Sequence, residues 1–145
     1  KGKIDEREVF INQLMNKFPN IKYNILGMSN ELPKWNYNFY NELIKCKMSL
    51  NLSRGKPLKY TSSNRIAALI GNGIFTFIDE KTKFMHYFNE NEVGFYKNLN
   101  DLGNKIEYML SNPKKINEYG KNGKLKYFKL FNNKIITKNI IENTF

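Results

Sequence analysis

The residues best equipped for chemistry crowd into one stretch, 53–65. It interleaves Arg54, Lys56, Lys59 and Arg65 with Ser53, Thr61, Ser62 and Ser63. Arg54 and Arg65 are two of the chain's three arginines. Arginine offers phosphate a planar fork of donors, whereas lysine offers a point charge. Arg65 falls in the first turn of an expected helix, where a cation opposes the helix dipole by some tenths of a kcal/mol. An anion bound at that helix start reverses the sign. The chemistry indicated is capture of an anion such as phosphate. A solvated basic loop with an ordinary serine cap fits the same residues, and from them alone both readings stand.

Other reactive residues point elsewhere. Gly71-Asn72-Gly73 closes a helix and does not open one, so neither a Walker loop nor a dinucleotide fingerprint is present. Cys46 is the only cysteine and His86 the only histidine. That excludes an intramolecular disulfide and argues against a Cys/His zinc site. Between a Cys46–His86 nucleophile pair and an inert thiol, the inert thiol is favoured. Asp79-Glu80 reads as a helix cap in preference to a ligand contact. Trp35, Tyr37, Phe39 and Tyr40 read as core in preference to a stacking surface. Lys114, Lys115, Lys121, Lys124, Lys126 and Lys129 could meet an acidic membrane, but a solvated helix face is favoured.

Elements of alternating type must position the basic loop. Asp5 caps a helix with Glu8 in capping-box register, and Phe10, Leu14 and Phe18 form its apolar stripe up to Pro19. Residues 21–27 alternate and stop at Gly27, predicting a strand. A short helix over 38–45 and a strand over 48–52 follow. After the basic loop comes a helix from 62 or 63 to the 71–73 stop. Ile74 to Ile78 reads as a strand buried on both faces. The pattern continues with a short helix over 81–88, a strand over 92–96 and a helix from Asn98 to Ser111. Pro113 opens the next helix, and the tail is helical again. Strands alternating with helices predict an α/β fold with a mostly parallel sheet, strands near 21–27, 48–52, 74–79 and 92–96. In such a sheet, ligands sit at the carboxyl ends of the strands, where the 53–65 loop falls.

Size and charge set the outer bounds. A chain of 145 residues, 41% hydrophobic and 14% aromatic, is one ordered domain. Its net charge of +11 calls for an anionic partner. The 21 Lys, 23 Asn and 15 Ile against 2 Ala carry the imprint of an AT-rich genome, so part of that charge is background. The excess is spread along the chain, and no nucleic-acid recognition motif is present; a nucleic-acid partner is not expected. The longest nearly apolar run, 66–78, is short of the ~20 residues of a membrane helix. No secretory signal is visible, and a cytoplasmic place follows, with the inner membrane's surface within reach of the lysines. The start at Lys1, without an initiator Met, leads us to expect a domain truncated at its N-terminus.

The run from Ser62 to Gly73 resembles a motif of the GT-B glycosyltransferases, nearest to the CgeB-like branch of the group 1 transferases. There a Ser-Arg pair opens a helix that ends in Gly, with a hydrophobic strand behind it; Arg65 and Gly73 match that Arg and Gly. Phe88-Asn89-Glu90-Asn91-Glu92 through Tyr96, the helix ending in Asn112-Pro113, and the 126–132 segment are similar to later parts of the family, the last to bacterial polysaccharide transferases. The resemblance spans about residues 5–143. It implies a Rossmann-like three-layer domain, the C-terminal donor-binding half of a two-domain enzyme. The donor would be a nucleotide-sugar. The acceptor, a glycan or polysaccharide, would be bound by an absent N-terminal domain, so this piece would not complete transfer alone. No metal or other cofactor is implied; cations and helix dipoles would stabilise the leaving diphosphate. Arg54, Lys56 and Arg65 would take that catalytic role. Ser53, Ser62, Ser63, Asn64, Asn72, Gly73 and Arg7 would bind the donor, with Lys3 beside Arg7. The family often holds the donor ribose with Glu three residues after the Arg. Ala68 stands there, so Asn64 or Asn72 would have to substitute. The alternative is a non-catalytic nucleotide- or polyanion-binding module of the same fold.

Overall fold

The computed structural model describes residues 5–28, 32–61 and 63–144. Lys3 and Ser62 lie outside them. Among the described residues the order is α1 (Glu6–Lys17), α2 (Asn36–Leu43), β1 (Met48–Asn51), α3 (Asn64–Ile70), β2 (Phe75–Asp79), β3 (Gly94–Tyr96), α4 (Leu99–Leu110), α5 (Pro113–Phe131) and α6 (Asn133–Thr144). The strands form one parallel sheet in the order β1-β2-β3. Met48 stands beside Phe75, and Phe77 beside Gly94.

Local signals set most helix starts. The Asp5 carboxylate accepts from the Arg7 amide at 2.9 Å and caps α1. Asn98 caps α4 by accepting from the Asp101 amide at 3.0 Å, while Asp101 accepts from the Lys97 amide at 2.9 Å. Pro113 opens α5, where its missing N–H costs nothing. Asp79 caps the turn after β2, accepting from the Lys81 amide at 2.8 Å, as expected of it.

The central strand separates two cores. Phe75 and Phe77 point to one face, against Leu14 of α1, Phe18 just past its end, and Leu102, Ile106 and Met109 of α4. Ile78 points to the other, against Ile66 and Ile70 of α3 and Phe84, Phe88, Val93 and Phe95. Helices thus cover both faces of a parallel sheet, the three-layer α/β arrangement. Thr76 is fully buried, its hydroxyl shared between Ile74 O at 2.8 Å and Ser49 Oγ at 2.9 Å.

Helix α5 belongs to both layers. Its first turn gives Ile116 to the α1/α4 core, and its last turns pack Tyr127, Leu130 and Phe131 on the other. Between them it crosses the amino ends of β2 and β3. A Cβ on Gly120 would run into Gly73 O, and one on Gly123 into Glu92 O. Only glycine lets the helix lie so close to those two loops.

Three expectations fail. Residues 21–27 form no strand: Ile21 and Tyr23 pack on the α1/α4 core, but no ladder pairs them. The Tyr23 hydroxyl donates to Phe18 O at 3.1 Å and ties the segment to the end of α1. The alternation there serves packing alone. Residues 81–88 are two short 3-10 turns, Glu80–Thr82 and Phe84–His86, parted by Lys83 at φ +59°. The aromatic group before and within α2 is largely surface: Trp35 and Tyr37 are 74% and 76% exposed, and Tyr40 is exposed too. Four isoleucines of α6 are also exposed, and α6 buries no residue. No helix among the described residues is long and apolar enough to cross a membrane.

Candidate functional site

The parallel sheet fixes where its polar loops go. β1 ends at Asn51, and the following loop lies at the carboxyl edge of the sheet. Helix α3 starts at that edge and runs back to the amino edge, where β2 begins. Ser53, Arg54, Lys56, Ser63, Asn64 and Arg65 therefore share the carboxyl edge. Asn51, buried at the tip of β1, was not singled out from sequence; its Oδ1 accepts from the Ser63 hydroxyl at 3.5 Å. Ser63 precedes α3 with extended backbone but makes no side-chain cap bond to the helix. Its hydroxyl secures the loop to the strand instead.

Charge effects tie Arg7 to Arg65 and Arg54 to Asp5. Arg65 Nη1 donates to Leu52 O at 3.1 Å, which lays its stem along the end of β1. Partial burial pushes its pKa below the ordinary arginine value, and the positive charge of Arg7 adds to that push. Arg7, in the first turn of α1, donates from Nε to both Asp5 oxygens at 3.0 and 3.1 Å. That hydrogen bonding, with the Arg7 amide, holds the Asp5 carboxyl far below the usual range, and the charge of Arg54 contributes further. The charge of Arg7 thus reaches Arg65, and that of Arg54 reaches the carboxylate that holds Arg7. Asp5 is the one carboxylate in ion-pair contact with an arginine among the described residues. Arg54, Lys56 and Arg65 have no such partner among those residues, and Arg54 and Lys56 are exposed in the loop turned by Gly55 at φ +70°.

Asn72 and Gly73 do not belong to this edge. They follow the C-terminus of α3, at the amino edge, beside α5. The Asn72 amide donates to Ala68 O at 2.6 Å, and Gly73 is needed for φ +81° and for the approach of Gly120. Both close the helix. Asn72 therefore does not stand in for the missing glutamate at Ala68. Cys46 and His86 have separate partners, in keeping with the inert thiol favoured from the sequence. The Cys46 thiol donates to Glu42 O at 3.4 Å, whereas His86 Nδ1 meets the Tyr60 hydroxyl at 2.7 Å.

A cleft of about 440 Å³ opens on the same carboxyl edge, past β2 and β3. Glu80, Glu90, Lys97, Asp101 and Lys105 give it a polar wall, and Met85, Phe88 and Phe95 an apolar one. Lys105 donates to Phe95 O at 2.7 Å and is set in place by it. Sequence reading missed the cleft because its walls come from three segments spread over 26 residues. No group of three or more His, Cys, Asp or Glu among the described residues is placed to hold a metal ion.

A protein-family model described as glycosyl transferase-like matches residues 7–142. No curated protein matches the chain. No solved structure matches it either.

Proposed function

Since the chain belongs to the glycosyl transferase-like family, we propose that its arginine-lined edge binds the diphosphate of a nucleotide-sugar. Family membership carries glycosyltransferase-type chemistry; the proposal concerns which half of that chemistry this chain performs. We take it as the C-terminal, donor-binding half of a GT-B enzyme of the CgeB-like branch. A glycan acceptor would be held by a separate N-terminal domain. The observation that carries the reading is the placement of Arg54, Lys56 and Arg65 at the carboxyl edge by β1 and α3, with the charge of Arg7 acting on Arg65 and that of Arg54 on the Asp5 that holds Arg7.

The chemistry follows from charge. In transfer, the bond from the sugar's anomeric carbon to the diphosphate oxygen breaks, and the acceptor oxygen takes its place. Negative charge grows on the departing diphosphate. Cations already fixed around it stabilise that growth without reorganising. Arg65 is held by Leu52 O and Arg7 by Asp5, so two of the three are set before any ligand arrives. Arg54 and Lys56 stand on the exposed loop between them and would close on the phosphates. Ser53, Ser63 and Asn64 lie beside them at the strand end and helix start, and Ser62 precedes Ser63. The cleft past β2 and β3 would take the hydroxyl-bearing part of the donor, with Glu80 and Glu90 as acceptors.

Ala68 favours the second reading, a module that binds a nucleotide without transfer. A thermal-shift titration with uridine, guanosine, adenosine and thymidine diphosphates tests binding in both. At a hundred times its Kd a ligand adds about 2.7 kcal/mol of stability, or on the order of 8 °C for a domain of this size. Arg65→Ala should remove most of the shift, since a hydrogen bond to a charged group is worth about 1.5–3 kcal/mol. Inorganic phosphate at matched ionic strength should shift the melting point less. If no nucleoside diphosphate exceeds the phosphate control, the donor site is wrongly assigned. Turnover of a nucleotide-sugar by a longer chain that carries the acceptor half would then separate enzyme from module.

A further inference from the structure

Helix α5 carries six lysines and one glutamate. Its inner face is fixed by Ile116, Gly120 and Gly123 against the sheet and its loops. On the opposite face, Lys121, Leu125 and Phe128 follow at i, i+4 and i+7, flanked by Lys124 and Lys129. Leu125 is 63% exposed and Phe128 50%. Lys115 is committed to the Tyr108 hydroxyl and Lys126 is half-buried, whereas Lys114, Lys121, Lys124 and Lys129 are exposed, the stem of Lys124 passing beside Gly73, with Glu118 the one exposed acid of the helix.

We propose that this outer face of α5 docks on an anionic lipid surface, with Leu125 and Phe128 entering the headgroup layer and the surrounding lysines meeting lipid phosphates. Two apolar side chains ringed by long cationic ones match a bilayer interface, where the lysine stems lie along apolar matter and their heads reach the phosphates. Charge complementarity selects the partner. A second copy of the chain would bring lysines against lysines. A nucleic acid would set Leu125 and Phe128 against a polar backbone. The position on the fold fits too. α5 crosses the amino edge of the sheet, opposite the arginines, so a docked molecule keeps its carboxyl edge open to solution.

Co-sedimentation with vesicles of phosphatidylcholine alone and of phosphatidylcholine with an equal share of phosphatidylglycerol tests this. The chain should bind the anionic vesicles, and added salt should weaken the binding. Each basic residue at an anionic surface strengthens partitioning about five-fold. K121Q/K124Q/K129Q should therefore lose on the order of a hundred-fold. L125Q/F128Q should lose about ten-fold or more, because burial of one large apolar side chain is worth about that factor. The single variants K121Q and L125Q give the same directions at smaller size if a combined variant loses its fold. Arg65→Ala should bind vesicles as the parent does, which separates this surface from the proposed donor site. Equal binding to both vesicles, no binding to either, or parental binding by the lysine variants overturns the proposal. So does full binding by L125Q/F128Q that duplex DNA competes away, since that describes a polyanion surface.

Discussion

Gly120→Ala should destabilise the fold, against the ordinary rule for a helix interior. In an unhindered helix, replacing glycine with alanine gains about 1 kcal/mol. Here the new methyl would run into Gly73 O, with Phe75 N only 3.2 Å from it. Both obstacles are backbone. The 73–75 segment leads into β2, whose first four residues are buried, so it cannot retreat without dislodging Phe75. Gly73 itself sits at φ +81° and has little room to turn. Overpacking of this kind costs about 1–3 kcal/mol. Set against the propensity gain, the net loss is about 1 kcal/mol and at most ~2. Urea melts followed by circular dichroism would read it as a lower midpoint at unchanged slope. Asn117→Ala, on the exposed side of the same helix, serves as the comparison and should gain a few tenths of a kcal/mol. A Gly120→Ala protein more stable than the parent by the full propensity difference would refute the close crossing of α5.

Phe77→Ala should cost about 3–5 kcal/mol, because the ring is 2% exposed in the central strand and edge-on to Phe75 at 5.2 Å; a melting point within a few degrees of the parent's would contradict the core described. Glu42 is held down to about 2 by Lys34 first, then Lys45, with Asn24 a smaller cause. A depressed carboxyl stabilises above its unfolded pKa, and that stability fades as pH falls from about 4.5 toward 2. Glu42→Gln should therefore melt below the parent at pH 7 and level with it near pH 2. A gap that stays constant across that range would show that the ion pairs contribute nothing.

What the sequence disclosed was what depends on neighbours along the chain. Asp5, Asn98 and Pro113 start helices through bonds a few residues long, and all three starts were legible. So was β2, because five apolar or β-branched residues in a row have few other uses. Residues 21–27 misled because alternation records which side chains are buried, not whether the backbone finds a partner. The left-handed Lys83 breaks 81–88 at a residue type that gives no warning. In the site, Arg54 and Arg65 were legible because they flank one loop. Asn72 and Gly73 were misplaced because nearness in sequence passes through α3, whose two ends lie at opposite edges of the sheet. Arg7 was ranked with the supporting residues, and its charge acts on Arg65 across 58 residues, a relation that only folding creates.

The passage of α5 over the amino edge has a consequence for how the domain is made. Each face of the sheet lacks part of its packing until this one helix arrives: Ile116 is missing from one side, and Tyr127 and Phe131 from the other. During synthesis the residues before Pro113 can form helices and pair strands, but neither side is finished. At about 5–20 residues per second, the stretch that completes both takes on the order of a second to emerge. In that interval Phe75 and Phe88 lack the aromatic neighbours Tyr119 and Phe131 that α5 brings. Once the helix lands, the two sides gain their last contacts together, so amide exchange in β2 and in α3 should slow in a single step and not in two.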